Sequence, residues 1–93
     1  MQVRRLFRVR ERFTIHNRGI VLVPGIIPIG NEQFQIGQKL QLRFNDGTNL
    51  IVTIAGLDAS NPAAHGGAMP VLLSEPLTRQ QVPLDTEVWS IAE

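Results

Sequence analysis

Phe13-Thr14-Ile15-His16-Asn17-Arg18-Gly19-Ile20-Val21-Leu22-Val23 decides the fold, because it reads as two strands joined by a tight turn. Phe13 and Ile15 alternate with Thr14, Asn17 and Gly19 tolerate the positive φ of a turn, and Ile20 to Val23 is an unbroken apolar run. Working back toward the N-terminus, Val3, Phe7, Val9, Phe13 and Ile15 hold odd positions, while Arg4, Arg8, Arg10, Arg12 and Thr14 hold even ones. A period of two belongs to a half-buried strand with its arginines on one side. Arg5 and Glu11 break the alternation and Leu6 falls on the outer phase, so the first third of this strand is expected to be an edge or frayed.

Working forward, Pro24 and Gly25 interrupt the ladder as a bulge or sharp bend would, and Ile26, Ile27 and Ile29 continue apolar to Gly30. Leu40, Leu42 and Phe44 alternate with Gln41 and Arg43, and Leu50 to Ala55 is apolar and β-branched. Asp46-Gly47 between them is a strong hairpin signal. Asp58 to Met69 has no period and reads as a mobile surface loop; Pro70–Leu73 and Glu87–Ala92 read as the last strands. Thr78 and Gln81 have capping-box spacing and predict a single helical turn over 78–82, before Pro83. Phe7, Phe13 and Phe44 fall on the expected inner faces, and Trp89 is expected to fill the interior, with a surface anchor as the alternative.

Six or seven short strands with no helix of ordinary length make the chain an expected all-β barrel, one domain over residues 1–93. The length of 93 residues leaves no room for a second core. Hydrophobic residues are 43% and charged residues 18%, as in a soluble globular protein, and the absence of Cys removes disulfides and thiolate metal sites. The longest apolar stretch is broken by Pro24 and Pro28 and is too short to span a bilayer, and no signal-type segment follows the Arg-rich start. A cytoplasmic location without membrane contact is the expectation, and Met1 suggests an independent gene product.

Four segments also occur in a recognisable order: Phe13-x-Ile15 with Arg18-Gly19; Ile36-Gly37 with Lys39 to Leu42; Ile54 with Gly56-Leu57-Asp58; and Val71-Leu72-Leu73 followed by Val82 to Val88. Together they resemble the second domain of the translational GTPases, the β-barrel of elongation factor Tu and its relatives. The resemblance implies a small closed six- to seven-stranded β-barrel of the elongation-factor domain 2 type, the reductase/isomerase/elongation factor common domain, and a role in or near translation. Nothing resembles the GTPase domain that normally precedes it, which leaves open a separate GTPase chain as partner. Pro24 to Asn31 stands where elongation factor Tu has a glycine, arginine and acidic stretch that helps hold the aminoacylated end of tRNA, and Ala59 to Pro62 also departs. A tRNA pocket is therefore not carried over.

Tests for chemistry find no activated group. The single Lys, Lys39, lies outside any phosphate-binding glycine loop, so this chain alone is not expected to bind a nucleotide. His16 and His65 are far apart with no ligand at metal spacing, and Ser60, Ser74 and Ser90 lack a nucleophile-elbow setting. No enzymatic activity, cofactor or metal is expected. The charge is uneven instead: residues 1–18 hold six Arg and one Glu, and residues 19–93 hold three basic and seven acidic side chains.

Two binding readings follow. Arg4, Arg8, Arg10, Arg12 and Arg18 form a candidate nucleic-acid-binding set, with tRNA or ribosomal RNA as the partner, because arginines spaced by ~6.6 Å along a strand can meet phosphates. The same arginines also serve as a solvated edge, or pair with Glu75, Asp85 or Glu87. In the alternative reading, Ile26, Ile27 and Ile29 form a stiff apolar docking segment for a protein partner, together with the Asp58–Pro70 loop, unless these isoleucines simply cap the barrel.

Overall fold

Asn17 (φ 61°) and Gly19 (φ 135°) turn the chain back on itself, and the paired strands grow outward from that turn. In chain order the strands are β1 (Arg5–Arg8), β2 (Glu11–Ile15), β3 (Gly19–Ile26), β4 (Lys39–Arg43), β5 (Asn49–Leu57), β6 (Met69–Leu73) and β7 (Glu87–Ser90). The structure is a computed structural model and describes residues 3–60 and 66–92. Asn61 to His65, in the middle of the expected loop, lie outside the described residues.

The seven strands form one antiparallel sheet in the order β1-β7-β4-β5-β6-β3-β2, curled into a half-barrel. The expected 13–23 hairpin pairs Phe13 with Val21 and Ile15 with Gly19, and the Asp46-Gly47 hairpin pairs Leu40 with Val52 and Leu42 with Leu50. Between Leu22 and Ile26 the β3–β6 register shifts, so Pro24 and Gly25 bend the strand as their sequence predicts. Gly25 has φ 111°, and a Cβ there would fall onto the Met69 carbonyl, so only glycine lets β3 approach β6 this closely.

β1 and β2 are successive pieces of one run, yet they occupy opposite edges of the sheet. At the joint the Val9 amide donates to the Thr86 carbonyl (2.9 Å), the Asp85 amide donates to the Val9 carbonyl (2.8 Å), and the Arg10 amide donates to the Val23 carbonyl (2.9 Å). The single long strand expected over 3–15 is thus divided at Val9 and Arg10, where hydrogen bonding changes from β7 to β3.

Alternation fills the interior. Ile20 and Leu22 on β3, Leu40 and Leu42 on β4, Val52 and Ile54 on β5, and Val71 and Leu73 on β6 are at most 1% exposed. Burial of each such side chain contributes roughly 1.5–3 kcal/mol. Phe7 and Val9 join them from the N-terminal run, as expected. Buried Ser90 and Thr86 are both satisfied: across the sheet the Arg4 amide donates to Ser90 Oγ (2.9 Å), and locally Thr86 Oγ1 donates to the Pro83 carbonyl (2.7 Å). The capping box also forms, with Thr78 and Gln81 exchanging side-chain and backbone bonds around a 3-10 turn over Arg79–Gln81.

Two aromatic side chains differ from expectation. Phe13 is 54% exposed, because β2 lies beyond the Val9–Arg10 joint and presents it on the outer surface. Trp89 is half-buried on the outer face of β7, since Val88 and Ser90 take the inward phase. No helix among the described residues is long and apolar enough to cross a membrane.

Candidate functional site

The basic N-terminal run is the strongest charge feature of the sequence, and the fold distributes its members differently from a simple alternating strand. The β1–β7 register shifts between Arg5 and Phe7, so Leu6 is the extra residue of a bulge. Arg5 and Arg8, three positions apart, consequently share the outer face. Both reach one carboxylate: Arg5 Nη1 lies 3.6 Å and Arg8 Nη2 lies 3.3 Å from Glu87 Oε2. Arg5, which breaks the sequence alternation, is therefore a member of the candidate face that periodicity alone does not find.

Arg4 turns the other way. Its Nε donates to Glu32 Oε2 (2.9 Å) and its Nη2 to Glu32 Oε1 (2.6 Å) and to the Ile27 carbonyl (3.1 Å). Glu32 also accepts from the Ile29 amide (2.9 Å). The Arg4 hydrogen bonds, then the Ile29 amide, hold the Glu32 carboxyl well below its ordinary range, at about 2, and Glu32 in turn raises the pKa of Arg4. Arg4 is a clamp on the segment after β3.

Arg10 is exposed, with Nη1 3.7 Å from Asp85 Oδ1. Arg12 lies against Glu11 (3.6 Å), and its Nε donates to the Arg79 carbonyl (3.3 Å). Arg18 sits in the exposed β2–β3 turn without an ion-pair partner among the described residues, beside an open groove of about 560 Å³ whose walls include Phe13, Ile15, Leu57 and Leu72. Of the sequence-derived arginines, only Arg8 thus lies on the face that gathers surplus positive charge. Asp85 and Glu87 are ion-pair partners as anticipated, whereas Glu75 accepts from the Thr53 amide instead (2.9 Å).

That face extends across β7 and β4. In register, Arg8 lies opposite Glu87, which lies opposite Arg43; one step along, Arg5 lies opposite Trp89, which lies opposite Gln41. The Arg43 guanidinium stacks 3.8 Å from the centroid of the Trp89 ring. Trp89 Nε1 donates to Glu87 Oε1 (2.9 Å), and Arg43 Nε donates to Gln41 Oε1 (2.7 Å). The Trp89 hydrogen bond, followed by the fields of Arg8 and Arg5, holds the Glu87 carboxyl below its ordinary range. Two guanidinium groups therefore share one carboxylate that stays ionised, and Arg43 adds a third positive charge over the neighbouring Trp89, so the patch carries net positive charge.

The proposed docking segment is only partly exposed. Ile26 is fully buried in the core, because the β3 bend directs it inward against β6. Ile27 (52% exposed) and Ile29 (62% exposed) remain on the surface, braced by the Arg4 and Glu32 bonds. His16 is in the exposed β2–β3 turn, and no cluster of three potential metal-ligating side chains occurs among the described residues. No protein-family model, curated protein or solved structure matches the chain.

Proposed function

We propose that this chain is a non-catalytic β-barrel module that contacts RNA through its N-terminal strand, a closed barrel of the elongation-factor domain 2 type working in or near translation. The hydrogen bonds at Val9 and Arg10, which tie β1 to the β7 side and β2 to β3, support closure of the half-barrel. The order of the sequence segments supports the elongation-factor likeness.

One observation carries the RNA reading: Arg5 and Arg8 share a single carboxylate, Glu87, and Arg43 lies across from it in register on the same outer sheet face. Such a surplus attracts phosphates by releasing condensed counterions, and the attraction weakens with salt. Exposed ion pairs of this kind add little to stability, so the arginines are available for a ligand.

The test is binding of a fluorescently labelled ribosomal or transfer RNA fragment, followed by anisotropy. Affinity is expected to fall about ten-fold or more between about 50 and about 200 mM salt, and to be lost in Arg5→Glu with Arg8→Glu. Arg10→Glu, whose side chain faces Asp85, is expected to have the smaller effect. The apolar alternative is favoured by the braced exposure of Ile27 and Ile29. A protein partner whose binding survives salt and fails on Ile27→Asp, with no RNA affinity, would replace the RNA reading.

A further inference from the structure

The basic face contains more than charge, and its aromatic component says which form of RNA suits it. Trp89 is the only Trp of the chain, and it lies at the centre of the patch, between Arg5 on β1 and Gln41 on β4. Its indole N–H is already committed to Glu87, and the Arg43 guanidinium lies over its ring, with Cζ 3.8 Å from the centroid. Arg43 is itself oriented by Gln41. A tryptophan and a guanidinium plane held in fixed stacking geometry, with Arg5 and Arg8 on one flank, differ from a purely electrostatic surface.

We infer that this face binds an unpaired stretch of RNA, with a base stacked on the Arg43–Trp89 pair and neighbouring phosphates at Arg5 and Arg8. This rests on the RNA reading above and adds the preference for single strands. Guanidinium and aromatic planes accept unstacked bases of any sequence, whereas bases inside a duplex are stacked on one another and cannot reach such a platform. The geometry is compatible with one or a few nucleotides: adjacent strands are ~4.8 Å apart and alternate residues ~6.6 Å apart, so Arg5, Arg8 and Arg43 surround an area of nucleotide size. Ionised Glu87, between Arg8 and Arg43 in register, disfavours a phosphate directly over itself, and the uncharged base is placed one step along, over the Trp89–Arg43 pair.

The experiment uses the full chain and a single-stranded RNA of about ten nucleotides, free or annealed to its complement. Trp89 fluorescence and anisotropy of a labelled RNA are read together. The single strand is expected to change the Trp89 emission and to bind on the order of ten-fold more tightly than the duplex, and Trp89→Leu is expected to remove most of that preference. Arg43→Gln provides a second variant that spares the tryptophan, and it too is expected to narrow the difference between strand and duplex. Equal, salt-sensitive binding of both forms with unchanged Trp89 emission would overturn the single-strand inference while leaving the RNA reading standing. Binding of neither form would overturn both. A DNA single strand bound as tightly as the RNA supports stacking, since the platform does not read the 2′-hydroxyl.

Discussion

The two halves of the outer surface differ although they cover one interior. Over β1, β7 and β4 the outward positions are Arg5, Arg8, Glu87, Trp89, Gln41 and Arg43; over β2, β3, β6 and β5 the row Phe13–Val21–Leu72–Gly56 runs across the sheet and is apolar. Both rows lie above buried side chains of the same kind, Leu40 and Leu42 on one side and Ile20 and Leu22 on the other. Inward residues therefore specify the fold, and outward residues are free to differ. On one half that freedom yields a charged aromatic patch, on the other a greasy groove with Arg18 at its margin.

If the interior is shared, its two sides must fail together. Leu22→Ala and Leu42→Ala, one under each surface, are each expected to cost roughly 2–5 kcal/mol in denaturant unfolding. A single coincident transition by Trp89 fluorescence and far-ultraviolet circular dichroism is expected in both variants. A Leu22→Ala chain that loses its β2–β3 signals while Trp89 keeps its native emission would divide the interior into separate units.

Acid acts on a bond at the border between the halves. Because the folded chain holds Glu32 at about 2, below its ordinary value, the folded state binds fewer protons than the unfolded one in that interval. The contribution is complete above the ordinary carboxyl range and is lost as pH falls toward about 2. Thermal unfolding of Glu32→Gln is therefore expected to approach that of the parent at the acid end of this window. A constant difference in Tm from neutral pH to the acid limit would show that Glu32 carries no such linkage.

The smallest effect distinguishes the two surfaces most directly. Phe13→Thr removes a half-exposed ring from a two-strand edge, so its stability cost is expected to stay under about 1 kcal/mol and RNA affinity is expected to remain unchanged. Weakened RNA binding in this variant would move the nucleic-acid contact to the apolar half.

The turns and the interior were readable in the sequence because local chemistry dictates them. Asn17 and Gly19, Asp46-Gly47, the bend at Pro24-Gly25 and the Thr78 to Gln81 capping box all occur where short-range rules place them. The candidate face was less readable, for identifiable reasons. The bulge at Leu6 shifts the phase of the first strand, so Arg5 joins Arg8 and Arg4 leaves it. Period two over Glu87–Ser90 has two phases. The size of Trp89 favours the interior, but the acid two residues before it belongs to the same face and marks that face as outer. Ile26 is separated from Ile27 by the geometry of the bend, which a run of isoleucines does not reveal. The pairing of Trp89 with Arg43 depends on a register between β4 and β7 that no local pattern encodes.

The pairing of Arg5 with Trp89 also orders events in time. The Arg5 rung must wait for the Trp89 rung, made more than eighty residues later, before it finds its neighbour, whereas the 39–53 hairpin can zip as soon as it is made. The positively charged patch consequently cannot assemble before Trp89 has been made. Its assembly therefore waits on a pairing between residues more than eighty positions apart.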